Sequence, residues 1–419
     1  MRNKKLRAVW ICTAAAALMM RDVPVVHADD GDYKTMYEEQ KKRSDDLEKR
    51  ISALEAGTGN VAIAKSDIPQ KSLDFLGQTE ISGFVEASYL YDFNDTHGSQ
   101  TVAGRTFDTH ANQFDFDDFK LAIEKPFVSS PTNWTVGYRA DLIFGEDAHV
   151  IHSSGFNLGT DGDLEQAFVD VNVPVGNGLK VIFGKTVTLM GVEVIEQVSN
   201  PNFSEGNQFL YVENFTQTGV QLMYQWNDKN DTEFVVFNGW DQLPDNNNAL
   251  SYMGRIGYAL GSNTTLAFLG YGGPEQTAVS LGGTPPNSSG NWRDGAEAIV
   301  TQKIGDKFSA DLQLDYGHEE DVGAFNNPEW YAAGLWLIYD FTDKIELAFR
   351  QDYLEDREGT RTGDVGTNPE LYSSTVTLNL KPVNNFQFRP EVRWDHSDKH
   401  LYNDVRDQFT IGVGVAYLY

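Results

Sequence analysis

From Thr79 to Tyr419 the chain carries a two-residue hydrophobic period, which restricts its possible folds more than any other feature. Trp134, Val136, Tyr138, Ala140, Leu142 and Phe144 fall on one parity, with Thr135, Gly137, Arg139, Asp141 and Ile143 on the other. The alternation recurs in Thr218/Val220/Leu222/Tyr224/Trp226, Phe308/Ala310/Leu312/Leu314/Tyr316 and Phe386/Phe388/Pro390/Val392/Trp394. It closes the chain in Phe409/Ile411/Val413/Val415/Tyr417/Tyr419. None of these faces holds a charge, although 22% of the residues are charged. The intervening positions carry Arg139, Asp141, Asp311, Asp315, Arg389, Glu391 and Arg393. Successive side chains of a strand point to opposite faces. One face of each strand therefore meets an apolar medium and the other meets water.

The connections decide between a soluble sandwich and a membrane barrel. Those at 125–133, 174–178, 227–231, 261–263, 303–307, 340–344 and 381–385 are short. Those at 93–112, 146–162, 187–215, 240–250, 272–292, 319–329, 355–371 and 396–407 are mostly longer, and the two classes alternate. Outer-membrane barrels have short periplasmic turns and longer external loops, and this pattern predicts an all-β fold, a transmembrane antiparallel β-barrel of about 16 strands over 79–419. Closure satisfies every backbone group inside the bilayer, which an open sheet cannot do. Trp134 and Trp226 fall at the periplasmic strand ends. Trp240, Trp292, Trp330 and Trp394 fall at the external ends, where aromatic girdles are expected. The last strand, Gln408 to Tyr419, ends in an aromatic residue, as outer-membrane barrels commonly do.

The N-terminus supplies the address. Arg2, Lys4, Lys5 and Arg7 precede the apolar run Ala8 to Met20, and Val26-His27-Ala28 offers a cleavage site, so 1–28 is predicted to be a signal peptide. The single cysteine, Cys12, lies inside it, leaving no thiol for disulfide or metal chemistry in the exported chain. Tyr33, Tyr37, Gln40, Ser44, Leu47, Ile51 and Leu54 then step by four and three, a heptad seam with a polar middle. Residues 29–59 are expected to form a periplasmic coiled-coil helix, stopped at Gly57-Thr58-Gly59, with 60–78 as a linker. So short a helix is marginal alone, and a homotrimer would bundle three of them. A formal charge of −28 argues against nucleic acid as a partner.

One stretch carries a resemblance. Gly184-Lys185-Thr186-Val187-Thr188-Leu189-Met190-Gly191-Val192-Glu193-Val194-Ile195-Glu196, with Asn200-Pro201-Asn202-Phe203 and Thr216-Gln217-Thr218-Gly219-Val220, resembles the second beta-barrel porin family, called OmpL-like. The opening Gly77 to Tyr89 and the aromatic C-terminus are similar to it as well. The resemblance implies a barrel porin in the outer membrane. It brings no catalytic or ligand residues.

The longest loop of definite character, 187–215, contains this motif. Porin third loops typically fold inward and narrow the lumen, so Glu193, Glu196 and Glu205 are the constriction-loop candidates. Arg139, Lys185, Arg255, Arg293, Arg350, Arg389 and Arg393 are the candidates for the lumen wall. Acid on the loop facing base on the wall would set up a transverse field selecting polar solutes. The expected function is passive diffusion of small hydrophilic solutes and ions across outer-membrane lipid, with no cofactor, metal site or catalytic residue. His97, His110, His149, His152, His318, His396 and His400 fall in or beside external loops and read as solvated side chains. Two rivals stand beside this. A plugged barrel whose stalk docks to a periplasmic partner is the first. A barrel enzyme is the second, but Asp395, His396 and Ser397 are neighbours on one strand and point to opposite faces.

Overall fold

Why sixteen strands close on themselves follows from pairing each strand only with its neighbours in sequence. In the computed structural model, residues 75, 77–94, 101–153, 159, 161–276, 290–322, 325 and 327–419 are described. The predicted signal peptide, coiled-coil stalk and most of the 60–78 linker lie outside them. The strands are β1 (Glu80–Asp92), β2 (Gln113–Lys125), β3 (Thr135–Phe144), β4 (Gly162–Val173), β5 (Leu179–Val187), β6 (Thr216–Asn227), β7 (Asn230–Phe237) and β8 (Ser251–Leu260). They continue as β9 (Thr264–Pro274), β10 (Trp292–Ile304), β11 (Phe308–Glu319), β12 (Glu329–Thr342), β13 (Ile345–Asp356), β14 (Glu370–Leu380), β15 (Phe386–Ser397) and β16 (Asp407–Leu418). Two five-residue helices, α1 (Asp147–Ile151) and α2 (Asn207–Tyr211), sit in the second and third long loops.

Every neighbouring pair is antiparallel, and β1 pairs with β16 from Phe84↔Leu418 to Asp92↔Thr410, so the sheet has no free edge. Tyr419 holds the seam, its N–H donating to the Gly83 carbonyl at 2.9 Å and its hydroxyl to the Lys120 carbonyl at 2.9 Å. The aromatic C-terminus is thus part of the closure.

The alternation reads out as inside and outside. Val136, Val220, Leu222, Leu312, Leu314, Val392 and Tyr417 are exposed on the outer wall, while Asp141, Gln313, Arg389 and Arg393 of the opposite parity are buried inside. Leu312→Arg should therefore cost about 2–4 kcal/mol of folding stability if it lies near the bilayer midplane. Ser309→Arg, on the inward parity of the same strand, should refold normally. The heat-modifiable band after refolding into vesicles measures both, and equal yields would reverse the assignment.

The tryptophans divide differently from the sequence expectation. Trp134, Trp226, Trp292 and Trp394 are exposed, as a girdle requires, but Trp240 and Trp330 are buried. Trp330 shares the inward parity of Trp336, and Trp240 lies in the fourth loop. Arg361 of the seventh loop packs over both rings, 5.6 Å from that of Trp240 and 5.1 Å from that of Trp330. These two serve the interior as cation–π partners.

Candidate functional site: the third loop inside the lumen

Residues 188–215 leave β5 and turn into the barrel, where irregular backbone is tolerated only if its polar groups find partners. The wall supplies them. The N–H groups of Gly191 and Val192 donate to Glu297 and Gln313, each at 2.8 Å. Gly191 has φ +90, and a Cβ there would stand 2.2 Å from the Glu213 carboxylate, so only glycine fits this corner. Leu189 and Met190 pack on Val235, Phe237, Met253, Leu269 and Tyr271 of β7–β9.

The middle of the loop is clamped by arginines. Arg350 reaches Glu193 at 2.5 Å, Asp352 at 3.1 Å and the Ser204 carbonyl. Arg389 donates to the carbonyls of Gln197 and Asn200. Arg393 donates to the Glu205 carbonyl at 2.6 Å and pairs with Asp395 at 2.8 Å. Glu391 accepts from the N–H groups of Phe203 and Ser204. Phe203 lies on Gly414, where a Cβ would stand 2.4 Å from the ring, so the close approach depends on glycine. In α2, Asn207 and Gln208 donate to Asp352 and Asp315. At the exit, Arg361 donates to the Tyr211 carbonyl at 2.6 Å.

The three loop acids have three different fates. Glu193 is buried between Arg350 and the Trp336 indole N–H, 3.2 Å away. Glu196 meets Lys120 of β2, and this ammonium outweighs burial to hold the carboxyl below its ordinary range. Glu205 is enclosed, and burial, with Glu193 adding to it, pushes its carboxyl well above the ordinary range. The loop's negative charge is therefore neutralised where it is not suppressed.

The seven bases also separate. Arg350, Arg389 and Arg393 are at most 1% exposed and are used up as anchors. Lys185 is buried on Asp163 at 2.9 Å, away from the loop acids. Arg293 pairs with Glu319 at 2.8 Å and stacks over Trp240. Arg139 is chelated by Asp141, and Arg255 sits between Asp231 and Glu233 at 2.6 and 3.0 Å. The structure thus brings Glu193 to Arg350 and the Glu205 backbone to Arg393. The expected field between free acids and free bases is replaced there by direct contact.

Sequence reasoning missed Lys120, whose ammonium lies among Asp141, Glu165 and Glu196, carboxylates within 4.8 Å of one another. The ammonium supplies the positive charge that such a trio needs. Its inward parity on β2 was the available signal. Asp395 and Ser397 are buried inside while His396 pairs outside with Asp407, so these three do not form a triad.

Open space remains on the other side of the loop. A cavity of about 530 Å³ separates Val192, Ser199 and Pro201 from the β6–β11 wall, where Lys229 and Arg255 stand among Asp228, Asp231 and Asp311.

A closed sixteen-stranded barrel with an apolar exterior, a charged interior and an inward-folded third loop defines a transmembrane barrel of the outer-membrane porin class. The chain belongs to the family described as Putative beta-barrel porin-2, OmpL-like, which matches residues 78–419. No curated protein matches the chain. Among solved structures, it is similar to an anion-selective porin from Comamonas acidovorans, at 8% identity and TM-score 0.58, covering 81% of this chain and 99% of that one. It is also similar to OmpT, an outer membrane protein of Vibrio cholerae, at 11% identity and TM-score 0.55, covering 81% and 97%. A third likeness is to OmpF of Salmonella typhi, at 10% identity and TM-score 0.54, covering 81% and 97%. At these identities the likeness concerns the fold.

Proposed function

We propose that the protein is a passive porin of the outer membrane, through which small hydrophilic solutes and ions diffuse past a tethered third loop. Membership of a porin family over 78–419 is the observation that carries this reading. A V. cholerae OmpT structure is described as a trimer form, and the heptad seam at 33–54 fits three copies, so a homotrimer with periplasmic stalks is part of the proposal. Shortened chains lacking the seam should give fewer trimers by sedimentation in detergent.

A weak cation preference should accompany conduction. Acids outnumber bases 61 to 33, and four of the seven wall bases are buried in ion pairs or backbone contacts. An acidic mouth concentrates cations and is screened over about 10 Å at 0.1 M salt. Single-channel conductance and the reversal potential in a KCl gradient, at low and high ionic strength, test both points. Anion preference at both strengths would sink the selectivity claim. The loop's many tethers favour a second reading, a plugged barrel whose stalk docks to a periplasmic partner. Correctly folded protein that conducts nothing would select it.

A further inference from the structure

We propose that a notch in the outer wall, across β7–β10 near the long-loop rim, holds one acyl chain of a phospholipid whose headgroup ammonium meets Asp294.

The notch is cut by glycines. On the outward parity Phe234, Gly254, Gly270 and Ala296 stand side by side, through the pairs Phe234↔Gly254, Gly254↔Gly270 and Gly270↔Ala296. One row nearer the rim come Tyr252, Gly272 and Asp294. With no side chain at 254, 270 or 272 the wall is recessed. A cavity of about 420 Å³ opens outward there, lined by Phe234 and Tyr252 on one side and by Trp292 and Asp294 on the other. The three aromatic residues are exposed, and the rings of Phe234 and Tyr252 are stacked with centroids 6.5 Å apart.

The fold itself does not require glycine at 254 or 270. Both lie within strands and outside the positive-φ region. A Cβ would meet nothing closer than 3.8 Å at Gly254 and nothing closer than 3.9 Å at Gly270. Gly414 is the contrast, because a Cβ there would strike the Phe203 ring. Glycine weakens a strand interior, having no side chain to pack and more entropy to lose. Two of them paired where larger residues would fit mark a place that something outside the chain approaches closely.

Position and charge identify the occupant. Ile256 and Phe268, outward and exposed on the same strands, continue the apolar wall away from the rim, so a recess in it is filled by acyl chain. Asp294 closes the recess at its rim end, beside Trp292 at the level of the aromatic girdle. The Asp294 side chain is 45% exposed, with the His318 ring nitrogen 3.2 Å away. Glu329 and Glu355 follow on β12 and β13, and Arg357 is held between them at 3.0 Å from each. An apolar slot that ends in carboxylate at headgroup level is complementary to a tail that ends in an ammonium. A second copy presenting the same face would set carboxylate against carboxylate.

Bromine on a bound acyl chain quenches a neighbouring indole, so Trp292 reports on the notch. The full-length protein in detergent micelles is titrated with phosphatidylethanolamine or phosphatidylglycerol carrying the same brominated chains, with Trp292→Phe giving the background of the other tryptophans. The ethanolamine lipid should quench at ~2-fold or more lower mole fraction than the glycerol lipid, the range of an exposed charge pair. Native mass spectrometry should find one ethanolamine lipid retained per barrel. Gly270→Leu and Gly254→Leu fill the recess and should remove both signals while keeping the heat-modifiable folded band. Asp294→Asn should still be quenched but without preference between the two lipids. Lipid retained by both leucine variants as by the wild type would overturn the notch. A preference that survives Asp294→Asn would overturn the headgroup assignment. Trimers lost in Gly270→Leu with lipid retained would place a second copy in the notch and overturn the proposal. None of these readouts depends on conduction, so they stand apart from the test of the porin reading.

Discussion

Arg350→Met will release the third loop without opening the barrel. The guanidinium is fully buried and holds Glu193, Asp352, Thr375 and the Ser204 carbonyl together. Methionine fills much of the volume but leaves two carboxylates enclosed without their cation, a loss of about 3–5 kcal/mol for a broken buried pair. The strand ladder does not depend on this contact, so the cost falls on loop docking. Two readouts should agree: protease cleavage mapped to 188–215, and larger, noisier single-channel currents than those of the wild type. Adding Glu193→Gln should recover part of the loss, because the double variant removes one of the stranded charges. A single variant as protected and as quiet as the wild type would mean that Arg389 and Arg393 suffice to hold the loop.

Lys120→Met should be at least as damaging, and in a pH-dependent way. Its ammonium is 3.1 Å from Asp141 and 2.7 Å from Glu165, and it also meets Glu196. Without it Glu165 and Glu196 face each other with no cation between them, beside Asp141, which keeps Arg139, and like charges in such a site cannot all remain ionised. The cost is again about 3–5 kcal/mol where the acids are charged. Protonation relieves the repulsion, so the sign is definite: the variant refolds better in acidic than in neutral buffer. In linkage terms, its folded state binds more protons than its unfolded state and loses stability as pH rises. Folded yield measured across that range decides the matter. A yield independent of pH would show that the trio does not act as one unit.

Both predictions turn on contacts that no reading of local pattern could supply. Arg389 and Arg393 are visible in the sequence as inward-facing bases, because their parity is opposite to that of Phe388, Val392 and Trp394, as that of Arg350 is to Phe349 on its own strand. That they are anchors rather than solvated wall charges is not visible. Glu193 and Arg350 are separated by 157 residues, and Arg393 and the Glu205 carbonyl by 188. A hydrophobic period carries information about the next few residues and none about which loop fills the lumen. The tryptophans teach the same lesson. Position at a strand end was read correctly for Trp330, but its parity sends it inward to Arg361, so the girdle excludes it.

The sequence by itself determined the barrel: about 16 strands, the side most strand residues face, and which connections are short. These follow from local rules, since a strand alternates every two residues and the bilayer rejects charge on one face. It also marked 187–215 as the segment of interest. Only the tertiary structure decided how charge is distributed inside. Folding the loop into the lumen brings its carboxylates and carbonyls against arginines, where burial makes direct pairing far more favourable than separate solvation. The most exposed of the wall bases, Arg139 and Arg255, are held instead by carboxylates of their own or the adjacent strand.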